Sequence, residues 1–120
     1  MQYMLLIYDD ETQWGRMSEE ERGGVMREYF EYTSQLRDSG AYANGGQLQP
    51  TQTATTVRIR SDEQVVTDGP FAETKEQLGG FYIVEAETID EAIEWAAKIP
   101  SARFGSIEVR PLVPARVPAQ

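Results

Sequence analysis

The sequence predicts an α+β domain in which two strand–helix–strand halves share one sheet. Three observations point there. Residues 2–8 and 80–87 are apolar in both parities, so each reads as a strand meant to be covered on both faces. Two capping boxes, Ser18-Glu19-Glu20-Glu21 and Thr88-Ile89-Asp90-Glu91, each open a segment of helical spacing. Turn formers then divide the chain into strand, long helix, strand, hairpin, strand, helix, strand. That order gives a ferredoxin-like βαβ–βαβ sandwich with an inserted β-hairpin. Helices can cover only one face of such a sheet. The bare apolar face calls for a second copy of the chain, so the expected particle is a homodimer with two sheets face to face.

In the first strand Tyr3, Leu5 and Ile7 point one way, and Met4, Leu6 and Tyr8 the other. Asp9-Asp10-Glu11-Thr12 ends it, and a short loop carries Trp14 and Gly15. The acidic first turn after Ser18 suits the helix dipole. Val25, Met26, Tyr29, Phe30, Thr33 and Leu36 recur as a core-facing stripe, which predicts a helix over 18–39 closed by Gly40. Gly23-Gly24 weakens its first turns by about 1 kcal/mol per Gly relative to Ala. Residues 41–48 make a weaker, Gly-interrupted strand. Residues 55–60 set Val57 and Ile59 against Thr56, Arg58 and Arg60, the alternation of a half-buried strand, and 64–67 return as its hairpin partner. In the second helix Ala92, Trp95, Ala96 and Ile99 form the stripe, flanked by Ile89 and Ile93, and Pro100 stops it. Residues 106–110 form the last strand, with Ile107 and Val109 inward. Pro111, Pro114 and Pro118 break regular structure, so the domain spans 1–112 and 113–120 form an extended tail.

Composition narrows the chemistry. A length of 120 residues suits one domain, and 40% hydrophobic with 26% charged residues is a globular balance. The net charge of −9 argues against a nucleic-acid or anionic-membrane surface, since both need clustered Lys and Arg. With no Cys, disulfides, thiolate nucleophiles and Cys-zinc sites are excluded. With no His, the commonest general acid–base group is missing. There is neither a membrane-length apolar run nor a signal-peptide pattern at Met1-Gln2-Tyr3-Met4, so the expected location is cytoplasmic.

The densest chemistry lies in Asp68-Gly69-Pro70-Phe71-Ala72-Glu73-Thr74-Lys75-Glu76-Gln77-Leu78-Gly79-Gly80. Pro70 suits the first position of a short helix capped by Asp68 or Gly69, running to about Gln77. An irregular loop fits the same residues. Two functional readings follow. One is a charged connector with Glu73, Lys75 and Glu76 in water. The other is the wall of a small-molecule pocket, with Asp68, Glu73 and Lys75 as polar contacts and Phe71 as the apolar one.

This run resembles the signature of the DGPF proteins, a branch of the YCII-related family. Tyr3-Met4-Leu5-Leu6-Ile7-Tyr8, Glu91-Ala92-Ile93-Glu94-Trp95-Ala96 and Ile107-Glu108-Val109-Arg110-Pro111 carry the resemblance across nearly the whole chain. It implies a dimeric α/β barrel of ferredoxin-like halves, a pocket between sheet and loops, and a chain encoded beside extracytoplasmic-function sigma factors. For better understood YCII-like relatives it implies a His–Asp pair, used in one group to remove chloride from a hydroxylated aromatic ring. This chain has no His, and Ile99 stands before Pro100 where that Asp would be. The pair is not carried over.

Three functions remain open. In the first, a small-molecule-binding protein or enzyme has its pocket near the dimer interface. Asp68 or Glu73 accepts a proton, Lys75 holds an anionic group or polarises a carbonyl, and Phe71, Tyr3 or Tyr82 forms an aromatic wall. A carboxylate base needs burial or a like charge to raise its pKa. In the second, the chain is a non-catalytic regulatory module that meets a sigma factor through its acidic surface. In the third, Asp68, Glu73 and Glu76 hold a hard cation; their spacing matches no calcium-loop pattern, so neither metal nor cofactor is predicted.

Overall fold

The computed structural model describes residues 1–114. Part of the predicted tail, residues 115–120, lies outside them. The elements are β1 (Gln2–Asp9), α1 (Glu11–Arg16), α2 (Glu19–Asp38), β2 (Tyr42–Gln47), β3 (Thr55–Arg60), β4 (Glu63–Asp68), β5 (Gln77–Glu85), α3 (Ile89–Ala97) and β6 (Ser106–Pro111). Short 3-10 turns occupy Thr51–Thr53 and Pro100–Arg103. The main sheet is antiparallel in the order β2-β5-β1-β6, the ferredoxin-like arrangement, and β3 pairs only with β4.

Local rules place most of these elements. Both halves of the Ser18–Glu21 capping box form, and Thr88 caps α3 by accepting from the Glu91 amide. Helix α2 ends where Gly40 turns into the left-handed region at φ 82°. Helix α1 falls where a loop was expected. The Asp10 carboxylate caps it, accepting from the Thr12 amide at 2.9 Å and the Thr12 hydroxyl at 2.7 Å. Gly15 inside this single short helix hid it from the pattern. The short helix considered for 70–77 does not form, and β5 begins at Gln77 instead of Gly80.

One face of the sheet is packed. Tyr3, Leu5 and Ile7 of β1 and Val84 of β5 meet Tyr32 and Leu36 of α2 and Ala92 and Ala96 of α3, with Ile99 sealing the end of that helix. Tyr32 sits at the centre. Its ring is edge-on to Tyr82 at 5.2 Å and to Trp95 at 6.2 Å, and its hydroxyl donates to the Trp95 carbonyl. The α2 stripe is therefore rotated from the expected one. Tyr32 is inside, whereas Phe30 is 76% exposed and Met26 is exposed.

The opposite face carries no helix. Register aligns Met4 with Ile83 and Leu6 with Phe81, and places Arg110 and Glu108 of β6 beside them. The hairpin also departs from expectation. Val57 and Ile59 are 58% and 60% exposed, so β3 is not half-buried in this chain. The pairing Val57 to Val66 puts three apolar side chains, Val57, Ile59 and Val66, on one open hairpin face. Its turn is tight, with Ser61 and Asp62 both at positive φ. The radius of gyration is 16.9 Å, against about 14 Å for a compact chain of this length, in keeping with a projecting arm.

Gly105 leads into β6 past the end of β1. A Cβ built there would stand 2.2 Å from the Tyr8 carbonyl oxygen. Gly105→Ala is expected to destabilise the fold by about 1–3 kcal/mol and lower Tm by several degrees in thermal unfolding. Gly15→Ala, with open space at its Cβ, is expected to leave Tm unchanged or raise it.

Candidate functional site

The 68–80 segment starts at the hairpin and ends on the central strands. Gly69, at φ 98°, donates its amide to the Ala54 carbonyl at 2.7 Å and accepts from the Thr56 hydroxyl at 2.8 Å. These bonds tie the start of the segment to β3. Its other end is tied to β1 and α1. Gln77 pairs with Asp9 in the sheet, accepts from the Glu11 amide at 3.0 Å, and donates back to the Thr74 carbonyl at 2.6 Å. Glu76 accepts from Ser106 at 3.0 Å. The Glu11 carboxylate takes both the amide and the hydroxyl of Thr51, which fixes the base of the hairpin. Between these ties Asp68, Phe71, Glu73 and Lys75 are all exposed, Phe71 to 80%. Lys75 lies within electrostatic reach of Asp10.

The six sequence candidates are not brought together within one chain. Tyr3 is 4% exposed in the hydrophobic core. Tyr82 faces the helices, its hydroxyl hydrogen-bonded to Thr33 at 2.7 Å. Neither stands on a wall with Phe71, because both lie on the helix-covered parity of the sheet. Two shallow surface hollows are also present. One, of about 270 Å³, is apolar and lies between α3 and β6; the other, of about 310 Å³, is lined by Tyr32, Gln35, Lys98 and Arg103 among others. Neither is lined by a residue of the 68–80 segment.

A polar group that the sequence reading passed over sits under the far end of that segment. Asp9 is the last residue of β1 and continues the parity of Tyr3, Leu5 and Ile7, so its side chain faces the helices. There it meets Ser101, which is 3% exposed on the Pro100–Arg103 turn. Ser101 in turn shares a hydrogen bond of 2.5 Å with the hydroxyl of Tyr29 on α2. Two glycines leave room. Gly79 is the extra residue at the β1–β5 bulge, and a Cβ on it would lie 3.5 Å from Asp9 Oδ1. A Cβ on Gly105 would press on Asp9 as well as on Tyr8.

The environment acts on Asp9 and its neighbour Asp10 in opposite directions. Burial pushes the Asp9 carboxyl above its ordinary range. The Ser101 hydroxyl offsets part of the rise, and the carboxylates of Glu11, Glu76 and Asp10 add to it. Asp10 is held below the ordinary range by the Thr12 hydroxyl and amide, with Arg16 and Lys75 as smaller contributions. Burial also raises the Tyr29 hydroxyl. A carboxylate with elevated proton affinity is what a chain without His needs for proton transfer near neutral pH. The sequence held one signal for it. An acidic residue that continues an apolar parity at a strand end is unusual, and Asp9 is the only such residue on β1.

Comparison with known proteins places the chain in a family. The YCII-related domain model matches residues 1–116, and the chain belongs to that family. An uncharacterised protein of Rhizobium meliloti (strain 1021) is 41% identical over 114 residues, covering 93% of this chain and 92% of the relative. Among solved structures, 5-chloro-2-hydroxyhydroquinone dehydrochlorinase from Burkholderia phenoliruptrix AC1100, in complex with 2,5-dihydroxybenzoquinone, aligns over 94% of both chains at 16% identity and a TM-score of 0.48.

The raised pKa of Asp9 has a consequence for stability. The folded state favours the protonated form, so the unfolded state holds fewer protons above the usual 3.8 and stability falls as pH rises from there through the raised folded value. Asp9→Asn mimics the neutral acid. Its Tm is expected to exceed that of the wild type at pH 7 and to converge with it below about pH 4, as followed by circular dichroism melts.

Proposed function

We propose that this YCII-related protein binds a small molecule, as a binding protein or an enzyme, at the end of β1 beneath the 68–77 segment. The observation that carries the reading is the way Gln77 and Glu76 stitch that segment to β1, α1 and β6. A surface connector has no need to be fixed beside a half-buried carboxylate and a buried hydroxyl pair. Asp68, Phe71, Glu73 and Lys75 border the site from the outer side, with Asp9 beneath. Asp9 replaces Asp68 and Glu73 as the leading candidate for a proton acceptor, because burial raises its proton affinity.

The particle is a homodimer in this reading, a dimeric α/β barrel. Its support is the helix-free face, where Met4, Leu6, Phe81 and Ile83 lie together on the two central strands. A two-fold axis through that patch lets each copy cover the other, with Glu108 and Arg110 at the rim. The exposed Phe71 then gains a surface to meet. The alternative of a regulatory module beside a sigma factor gains nothing from the relatives described above.

Two measurements test the reading. Leu6→Lys puts a charge into the centre of the bare face and is expected to convert a dimer into a folded monomer by light scattering at micromolar concentration; a monomeric wild type would end the barrel. Thermal-shift screening with a library of phenols, carboxylates and amines is expected to give saturable stabilisation that Lys75→Ala or Asp68→Asn reduces. Hits unchanged in both variants would place the ligand elsewhere.

A further inference from the structure

The β3–β4 arm has an apolar face and a polar face. Val57, Ile59 and Val66 share the first with Gln64, and Thr56, Arg58, Arg60, Glu63 and Thr67 surround Val65 on the second. Alternation of this kind belongs to strands covered on one side. Yet Val57, Ile59 and Val66 are each more than half exposed. The chain's own domain does not supply the cover. The molecule is 18 Å thick against 50 and 47 Å across, which leaves no third layer over the sheet and helices. The base of the arm is also pinned. Thr51 is held by Glu11, and Gly69 is bonded to Ala54 and Thr56. The arm is therefore held outward with its apolar face open.

We infer that the arm is a clasp for a second copy of this chain, with its Val57, Ile59 and Val66 face seated on the β1–β6 side of the partner's sheet. The inference rests on the homodimer proposed above and adds the surface that completes it. Three observations choose this occupant. The first is area. Met4, Leu6, Phe81 and Ile83 are each already partly buried within their own chain, so the helix-free face alone offers little of the about 800 Å² per partner that a stable complex takes. The arm adds the more exposed apolar surface. The second is charge. At a net charge of −9 two copies repel each other. The apolar arm face between Val57 and Gln64, and the centre of the helix-free face, carry no charged side chain. The third is position. The arm leaves from β2 and returns to β5, which form one side of the β2-β5-β1-β6 order. A two-fold axis along the strands lays that side over β1 and β6 of the other copy, and each arm then overhangs its partner. Arg58, Arg60 and Glu63 stay in water on the outer face.

The test uses the full chain with a photoreactive p-benzoylphenylalanine in place of Val57. Chains with nitrogen-14 and nitrogen-15 are mixed, irradiated and mapped by mass spectrometry. Adducts joining a light to a heavy chain are expected, from position 57 to residues 2–9 or 106–111. Adducts confined to one chain, or joining arm to arm, overturn the clasp; so does the absence of light–heavy adducts, which leaves the face to a different occupant. Val57→Asp combined with Ile59→Asp is expected to raise the dimer Kd about tenfold or more in analytical ultracentrifugation. Thr67→Asp, which puts the same charge on the opposite face, is expected to leave it unchanged. Trypsin cleavage after Arg58 and Arg60 is expected to rise on dilution through the dissociation range, and cleavage independent of concentration counts against the clasp. If Leu6→Lys separates the copies while the double Asp variant does not, the homodimer stands and the clasp falls. A wild type that is monomeric at micromolar concentration ends both.

Discussion

The close passage of Gly105 beside the carbonyl of Tyr8 is the contact on which the end of β1 and the candidate site depend. No side chain fits between those two backbones. Because the chain can run so close, β6 pairs along β1 from Tyr8 to Tyr3, and the Pro100–Arg103 turn that precedes it is drawn against the end of β1. That turn carries Ser101 to the neighbourhood of Asp9. A β-carbon at 105 pushes the turn outward, and the polar group under the motif segment comes apart with it.

The chain's lack of histidine makes Asp9 informative. Proton chemistry near neutral pH asks for a group of intermediate acidity, and an ordinary carboxylate is too strong an acid for the task. Here burial and like charges work in one direction on Asp9, while capping hydrogen bonds work in the other on Asp10. Adjacent aspartates thus take different parts: one completes a helix, the other is half-buried on the side of the helices with its proton affinity raised. The same sheet parity that buries Tyr3, Leu5 and Ile7 creates this difference.

Much of the fold was readable in the residues. Capping boxes and apolar parity are local signals, and they located α2, α3 and the four strands of the main sheet to within a few residues. The misses were of another kind. Helix α1 is too short to show a period, and Gly15 argued against it. Phe30 and Met26 were read into one stripe with Tyr29, but the face that packs is the narrower one of Val25, Tyr29, Tyr32 and Leu36, at i, i+4, i+7 and i+11. In the site, the motif segment announced itself through turn formers and mixed charge, and the structure fixes its end beside β1. Its partners did not. Tyr29 and Ser101 lie 72 residues apart and carry no pattern that links them. Tyr3 and Tyr82 read as wall residues because aromatics suit pockets, but their parity belongs to the core.

The projecting hairpin has a consequence for how the chain comes apart. Its strands bond only to each other, and its apolar face of Val57, Ile59 and Val66 borrows no cover from the main sheet. Two strands alone are marginal in water. The arm therefore opens and recloses independently of the domain, and a protease that finds its tip nicks the molecule while the sheet behind it stays closed.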